Sequence, residues 1–206
     1  MQTIRQFSTF RCLWSAAVLA SAVLGSPALA QKADRPNVKV GDRWVFETRI
    51  GAAGVKSSNR EWVVKSVTPA RIEGTENGQP LVMTPDLNNI ESPRRKDSDM
   101  RLLSFPLAIG KKWSFTDDFV WALVGIQSRA KCSASVAAYE TVRVPASEFE
   151  AFRLDAKCSW VAEGATGETT YKYWYAPAAR AVVRMEFRDT SAGLTTVELA
   201  EFKLQP

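Results

Sequence analysis

The sequence predicts a mostly β protein, built as a single curved antiparallel sheet that is half-barrel or barrel-like, with little helix after residue 30. Three observations predict it. Short segments alternate apolar and polar residues with a period of two, and turn-forming residues separate these segments. No window of 11 or more residues after residue 30 carries a helical apolar stripe. Many short strands joined by turns are typical of antiparallel sheets and barrels.

The first 30 residues have the three parts of a secretory signal peptide. They begin with two arginines and no acidic residue, continue with an apolar run over 13–24, and place Ala28 and Ala30 at positions −3 and −1 of a cleavage site. The run is shorter than the roughly 20 residues that a transmembrane helix needs. We therefore expect cleavage after Ala30, a periplasmic or secreted protein, and no transmembrane span after cleavage. An uncleaved anchor is the alternative.

Cleavage would leave 176 residues, enough for one domain with its own core. We expect a polar leader over 31–37 and a single β domain over 38–206. The formal net charge falls from +5 to about +3 because the signal contains two arginines and no acidic residue. The compact basic run at 94–96 is followed by Asp97 and Asp99, which is typical of a solvated loop. We therefore expect no nucleic-acid partner.

The chain contains no histidine. This excludes a Ser-His-Asp triad, a Cys-His dyad and any zinc site with a histidine ligand. The two cysteines after residue 30 are too few for a four-cysteine site. The sequence therefore predicts no metal, no cofactor and no enzymatic activity, with a carboxylate-dependent hydrolase as a remote third hypothesis.

The first strands follow from alternation and turn residues. Residues 44–50 alternate aromatic or aliphatic side chains with charged ones, and residues 61–67 form a short β-branched run. Residues 71–73 then lead to Asn77-Gly78, a strong hairpin signal. We expect an antiparallel hairpin with this dipeptide at its turn.

The C-terminal strands show the same period. Residues 183–188 alternate strictly, whereas the apolar parity changes within 197–204, which predicts a bulge or twist near Ala200. The segment from Thr84 to Asp99 is rich in proline, asparagine and charge. It is predicted to be a long loop.

A weak internal repeat relates residues 40–46 to residues 109–115. Each copy contains a glycine followed three residues later by tryptophan and two residues after that by phenylalanine. Two aromatic residues spaced by two share one face of a strand. We interpret the copies as two similar strand starts; a duplicated binding element is the alternative.

Cys132 and Cys158 belong to the most specific pattern in the chain. Residues 144–147 form a turn signal, and a hairpin centred on Pro145 places each cysteine 13 residues from the centre. The two cysteines then lie opposite each other. In an exported protein they should form a disulfide, which stabilises by about 3–4 kcal/mol on the chain-entropy model. A redox-active pair is the alternative.

This register gives each strand of the hairpin one apolar and one polar face, and a slip of one residue would destroy the agreement. The predicted apolar pairs are Ala130–Trp160, Ala134–Ala156, Val136–Leu154 and Ala138–Phe152, and the predicted polar pairs are Ser133–Lys157 and Ser135–Asp155.

Three segments carry a family resemblance. Residues 41–46 resemble the opening "G-D-x-W-x-Y/F" of certain secreted bacterial proteins, residues 140–152 resemble their "E-T-V-x-V-P-A-G-T-F-x-A" hairpin, and residues 173–177 resemble their "Y-W-Y-A-P" segment. These are the TapB-like secreted proteins and related uncharacterised families. The resemblance implies a curved antiparallel sheet like the half-barrels of periplasmic lipoprotein carriers. It implies no established activity and no catalytic residues.

Two acidic clusters are candidates for a carboxylate pair or a calcium site. Asp117 and Asp118 are adjacent, so on a strand they would point to opposite faces, and we predict a turn or bulge in place of a carboxylate pair. Residues 97–99 resemble part of a calcium loop but lack its glycine and distal glutamate. They are interpreted as loop charge.

Aromatic residues are abundant. Six tryptophans follow residue 30, and Tyr171, Tyr173 and Tyr175 line one face of a strand with Lys172 and Trp174 on the other. Cross-strand packing is the simpler interpretation, and an aromatic ligand surface is the alternative.

The leading functional hypothesis is a non-enzymatic protein that binds an apolar small molecule, an envelope lipid or a protein segment on an aromatic concave face. The alternative is a structural or interaction module of the cell envelope with no small-molecule ligand. The candidate ligand-facing residues are Trp44, Phe46, Trp113, Phe115, Trp160 and Trp174.

Overall fold

The computed structural model describes residues 31–206; the predicted signal peptide and its cleavage site lie outside the described residues. The described chain forms fourteen strands and one short 3₁₀ turn. The strands are β1 (Lys32–Ala33), β2 (Arg43–Ile50), β3 (Val55–Val67), β4 (Ile72–Glu76), β5 (Gln79–Met83), β6 (Asn89–Glu91), β7 (Arg95–Lys96), β8 (Leu107–Ala108), β9 (Lys112–Trp121), β10 (Gln127–Val144), β11 (Ser147–Ala162), β12 (Ala165–Ala176), β13 (Ala181–Asp189) and β14 (Gly193–Lys203), and the 3₁₀ turn is Pro177–Ala179. Among residues 31–206 we find no helix with the length and hydrophobicity needed to span a bilayer.

Twelve of the strands form one antiparallel sheet in the order β6-β5-β4-β3-β2-β14-β13-β12-β11-β10-β9-β7, and β1 pairs separately with β8. The sheet curves until its two edges, β6 and β7, meet across a short turn. There the Ser92 amide donates to the Arg95 carbonyl at 2.7 Å, and the Ser98 amide donates to the Ile90 carbonyl at 3.0 Å. The predicted fold class is confirmed as a single antiparallel sheet that is nearly closed into a barrel.

The alternation of side chains along each strand decides which face is enclosed. In the first half of β10, every second residue from Ser128 to Val136 is buried and most of the intervening residues are exposed. Opposite them on β11, Cys158, Ala156 and Leu154 are buried, and Trp160 and Ala162 are half-buried. Because side chains on a strand point alternately to its two faces, this pattern places one face inside the barrel.

The predicted register of the β10–β11 hairpin is confirmed from Ala130 to Val136, including the Cys132–Cys158 pair, which is disulfide-bonded. Beyond Val136 the register is wrong by one residue, because a bulge intervenes and Phe152 pairs with Tyr139 instead of Ala138. The two rings pack at 4.7 Å between centroids. The bulge leaves one residue of β10 without a cross-strand partner, and it allows the aromatic contact between Tyr139 and Phe152.

Two turn predictions hold. Asn77 and Gly78 join β4 to β5 with φ angles of 50° and 80°, as the hairpin turn preferred by this dipeptide requires. The parity change near Ala200 is a bulge, since Leu199 pairs with Phe46 and Glu201 with the adjacent Val45.

Two predictions of irregular backbone, one of a long loop and one of a turn or bulge, are wrong. The segment Thr84–Asp99 contains two short strands, β6 and β7, which form the two edges of the sheet. Short edge strands are common because they limit the length of unpaired backbone at the edge. Asp117 and Asp118 lie within β9, not at a turn or bulge, and point to opposite faces. The buried Asp117 is tolerated there because it has hydrogen-bond partners on the neighbouring strand β7 and in the segment that follows it, described below.

The repeated segments both begin strands. Gly41 and Gly110 have φ angles of 90° and 85°, and β2 and β9 begin two residues later. The copies differ at the next residue. Asp42 is fully buried and accepts hydrogen bonds from the Lys39 amide at 2.9 Å and the Gln205 amide at 2.7 Å, so it fastens the C-terminus to the start of β2.

The segment predicted as a polar leader contains β1. Lys32 and Ala33 pair with Ala108 and Leu107, and Ala33 is buried in the core beside Leu107. Pairing with a second short strand gives this otherwise polar segment its backbone partners.

Candidate ligand-binding cavity

The curved sheet encloses two adjoining cavities, of about 300 Å³ and about 520 Å³. Volumes of roughly 300–1,000 Å³ are typical of small-molecule sites. The cavities share six lining residues, which are Arg95, Met100, Leu102, Trp121, Tyr171 and Phe187. The two cavities therefore lie side by side and share part of their lining.

The larger cavity has an aromatic wall and a disulfide in its lining. Phe115 and Phe119 project inward from β9, and the Cys132–Cys158 bond lies between β10 and β11. The Trp160 indole extends over Gly167 on β12, where a Cβ atom would come within 2.3 Å of the ring. Glycine at 167 therefore leaves the room that allows this indole to form part of the wall.

Asp189 lies where this wall ends, at the end of β13. Its carboxylate accepts hydrogen bonds from the Trp160 indole at 3.0 Å, from the Thr169 hydroxyl, and from the Ser191 amide at 2.8 Å. Burial raises the pKa of Asp189, but the hydrogen bonds from Ser191, Thr169 and Trp160 together lower it to about 2. Asp189 is therefore ionised at neutral pH and holds the Trp160 indole in place.

Lowering the pH should remove the stabilisation that Asp189 supplies. Its pKa is lower in the folded state than in the unfolded chain, so its contribution is complete above about pH 4 and is lost as the pH falls through about 2. We expect the difference in unfolding free energy between the wild type and Asp189→Asn to shrink over this range, as measured by urea denaturation at pH 6, 4, 3 and 2. Asp97→Asn, at an exposed loop position, is the matched control and should show no such trend. A difference for Asp189→Asn that stays constant with pH would contradict the assignment.

The smaller cavity lies between β2, β3 and β13. Trp44, Trp62 and Met185 form much of its apolar lining, and Tyr173 projects into it from β12. Burial raises the pKa of Tyr173, so its hydroxyl stays neutral. The Trp44 indole donates to the Ala179 carbonyl at 2.8 Å, and the Trp62 indole donates to Glu76 at 3.2 Å.

Four arginines line the smaller cavity, and three of them are paired with a carboxylate. The pairs are Arg94 with Glu76, Arg95 with Asp117 at 2.7 Å, and Arg180 with Asp42 at 3.2 Å.

The fourth arginine, Arg60, has no carboxylate within 4 Å among residues 31–206. Its Nε atom is fully buried without a hydrogen-bond acceptor, although the residue as a whole is only partly buried. Burial, followed by the nearby charge of Arg94, lowers the pKa of Arg60 to about 10. The side chain therefore remains a cation at neutral pH, with a single carboxylate, Glu76, to offset the charges of Arg60 and Arg94.

Asp117 on β9 binds the neighbouring edge strand β7 and the segment that follows it. Its carboxylate accepts hydrogen bonds from Arg95, from the Ser98 hydroxyl at 2.9 Å and from the Asp99 amide at 2.9 Å. The Arg95 guanidinium also lies 3.5 Å from the centroid of the Phe119 ring. These contacts hold Met100, which lines both cavities, over the interior.

The six predicted ligand-facing residues do not line one common cavity. Trp44 lines the smaller cavity, and Phe115 and Trp160 line the larger one. Phe46 packs on Trp62 at 4.9 Å between ring centroids, in a recess of about 20 Å³ beside the smaller cavity.

The remaining two predicted residues make other contacts. Trp113 packs beside the core and donates from its indole to the Arg101 carbonyl at 2.7 Å. Trp174 lies on the face of β12 opposite Tyr173, where its indole donates to Glu140 at 2.8 Å.

Sequence reasoning missed the charged residues of the interior. Arg60 is two residues before Trp62 on β3, so the period of two could have placed both on one face. Asp117 is likewise two residues from Phe115 and from Phe119. No sequence signal revealed that Arg95, 22 residues earlier in the chain, meets Asp117.

Within the described range 31–206, no group of three or more histidine, cysteine, aspartate or glutamate side chains is arranged to hold a metal ion. The chemistry that the interior offers is apolar contact, aromatic contact and ionic hydrogen bonding. The fold and the cavities together define a nearly closed antiparallel half-barrel with an aromatic interior.

Two solved structures share this fold. One, described as an exported protein with a YmcC-like fold from Bacteroides fragilis NCTC 9343, superposes with a TM-score of 0.56 at 14% identity, over 83% of this chain and 99% of that one. The other, described as a lipoprotein from Parabacteroides distasonis ATCC 8503, gives a TM-score of 0.54 at 14% identity, again over 83% of this chain and 99% of that one. At this identity the likeness establishes the fold alone.

No protein-family model matches the chain, and no curated protein matches its sequence. The resemblance to the TapB-like proteins therefore stays a prediction.

Proposed function

We propose that this protein is an exported, non-enzymatic carrier that binds a single-chain apolar ligand, such as an envelope lipid, inside its half-barrel. The observation that carries the proposal is the aromatic lining of the two adjoining cavities, which share six residues. Burying apolar surface there would supply roughly 25 cal/mol per Å² of ligand area removed from water. The export signal over residues 1–30, cleaved after Ala30, would place the protein where envelope lipids occur.

An exposed apolar rim beside the larger cavity supports a route of entry. Trp121 lines that cavity and is 42% exposed, and Leu123 and Val124 in the following turn are 84% and 66% exposed. Val161, near the end of β11, is also exposed. Neighbouring exposed apolar residues are typical of sites where a hydrophobic partner or ligand makes contact.

Partly filling the larger cavity should weaken the proposed binding. Ala130 points inward from β10 and lines the cavity, whereas the next residue, Lys131, points outward and is exposed. We expect Ala130→Phe to weaken binding of the neutral dye N-phenyl-1-naphthylamine at least about tenfold, because the added ring occupies volume that the dye would fill and a loss of about 1.4 kcal/mol of binding free energy is tenfold in affinity. Titration of the dye by fluorescence measures the change, and circular dichroism confirms that the variant is folded.

Lys131→Phe is the matched control, because it adds the same ring at the adjacent position on the outer face. It should leave the dye affinity within about twofold of the wild type. Native mass spectrometry of protein purified from the periplasm should also detect a bound lipid. Failure of the wild type to bind the dye, together with no co-purified lipid, would refute the carrier function and favour a structural or interaction module.

A further inference from the structure

Arg60 is the one arginine of the cavity lining that has no carboxylate partner within residues 31–206. It projects from β3 on the face that also carries Trp62, and it lines both the smaller cavity and the recess formed by Val182 and Met185. A cation that is partly buried beside apolar side chains is costly unless an anion accompanies it. The carboxylate of Glu76 already binds Arg94 and the Trp62 indole, and it makes no ion pair with Arg60.

The surroundings of Arg60 are apolar on the side that leads into the barrel. Tyr171, Phe187 and Met100 line both cavities, together with Arg95, whose charge is paired with Asp117. A chain that starts at Arg60 therefore meets aromatic and aliphatic surface as far as Phe115 and Trp160. A charged end followed by a long apolar interior matches the two parts of an anionic amphiphile.

We infer that the ligand of the half-barrel is a single-chain amphiphile with an anionic oxygen head group, carboxylate or phosphate, which pairs with Arg60 while its chain occupies the two cavities. The inference rests on the proposed carrier function and specifies its ligand. An arginine guanidinium offers several N–H donors in a planar fork that suits both kinds of head group. The unpaired Nε atom of Arg60 would gain its missing acceptor.

The test compares four probes that share a twelve-carbon chain and differ in the head group: laurate, dodecyl phosphate, neutral dodecanol and cationic dodecyltrimethylammonium. Each probe is titrated against protein that carries bound N-phenyl-1-naphthylamine, below the micellar concentration or solubility limit of that probe. Displacement of the dye measures the affinity of the probe. We expect at least one anionic probe to bind about tenfold or more tightly than dodecanol, and the cationic probe to bind more weakly than dodecanol. Comparison of laurate with dodecyl phosphate identifies which head group is preferred.

Arg60→Met removes the charge and keeps an extended apolar side chain. It should weaken the anionic probes by about 10- to 100-fold, the range expected for a lost charge-assisted hydrogen bond, and leave dodecanol within about twofold. Arg60→Lys, which keeps the charge, should bind the anionic probes with intermediate affinity. Arg129→Met, at an exposed position on the outer face of β10, is the matched control and should change none of the affinities.

The two proposals fail in different ways. Equal binding of anionic and neutral probes, unaffected by Arg60→Met, would overturn the anionic head group and leave the carrier function intact. Absence of binding by every probe and by the dye would overturn both. If Arg60→Met does not fold, the order of the probes on the wild type and the Arg60→Lys affinities still decide the question.

Discussion

Replacing Asp117 by alanine is expected to lower the free energy of unfolding by about 3–5 kcal/mol, the range observed when one partner of a buried ion pair is removed. The Asp117 carboxylate is almost completely buried and has three donors, from Arg95, Ser98 and Asp99. Alanine would leave the largely buried Arg95 guanidinium without its counter-ion, and it would leave two further donors unsatisfied. Urea denaturation followed by tryptophan fluorescence measures the loss.

Asp118 provides a matched control, because it is the next residue of the same strand and faces the opposite way. Its side chain is 43% exposed, and its carboxylate pairs with Arg129 on the surface. Surface pairs of this kind contribute about 0–1 kcal/mol, so Asp118→Ala should be nearly neutral. Similar losses for the two variants would contradict the role assigned to the buried pair.

The double variant Arg95→Met/Asp117→Leu distinguishes the lost charge pair from lost packing. Replacing both partners by apolar residues removes the uncompensated charge, so the double variant should be more stable than Asp117→Ala. Because it also frees the segment that carries Met100, we expect faster dye exchange than in the wild type, measured by stopped-flow fluorescence. A double variant less stable than the single one would show that charge pairing is not the source of the effect.

Reducing the Cys132–Cys158 disulfide is expected to lower the free energy of unfolding by about 3–4 kcal/mol. The bond closes a loop with a sequence separation of 26 residues, and the chain-entropy model gives about 3.5 kcal/mol for a loop of that length. Denaturation of the wild type with and without dithiothreitol measures the difference. The same bond lines the larger cavity, so reduction should also change the emission of the neighbouring Trp160.

The double variant Cys132→Ala/Cys158→Ala is the control for the reductant. Its free energy of unfolding should be the same with and without dithiothreitol. The value should be close to that of the reduced wild type. Alkylation under denaturing, non-reducing conditions followed by peptide mass mapping should leave both cysteines of the wild type unlabelled. Labelling of Cys132 and Cys158 without reductant would mean that the bond does not form in the cell.

The aromatic interior was only partly predictable. Period-two alternation correctly placed Phe115 and Trp160 on the enclosed side of their strands. It does not distinguish a side chain that lines a cavity from one that packs against a neighbour, because both are apolar and inward. Phe46 and Trp113 illustrate the second case, since Phe46 packs on Trp62, and the indole of Trp113 is directed to the backbone of the segment after β7.

The elements that could be predicted correctly are those whose cause is local in the chain. The Asn77-Gly78 turn follows from the φ angles that these residues accept, and the pairing of Cys132 with Cys158 follows from two faces that agree in only one register. The class of fold follows in the same way from alternation repeated along the chain.

Local sequence patterns do not predict which charges are enclosed or which of them are paired. Asp117 and Arg95 meet because the short edge strand β7 pairs with β9, so a segment 22 residues earlier in the chain supplies the counter-ion. Arg60 has no ion pair because the nearby carboxylate of Glu76, on β4, is bound by Arg94 and by the Trp62 indole. Contacts between distant segments depend on the curvature of the whole sheet, and no local pattern encodes them.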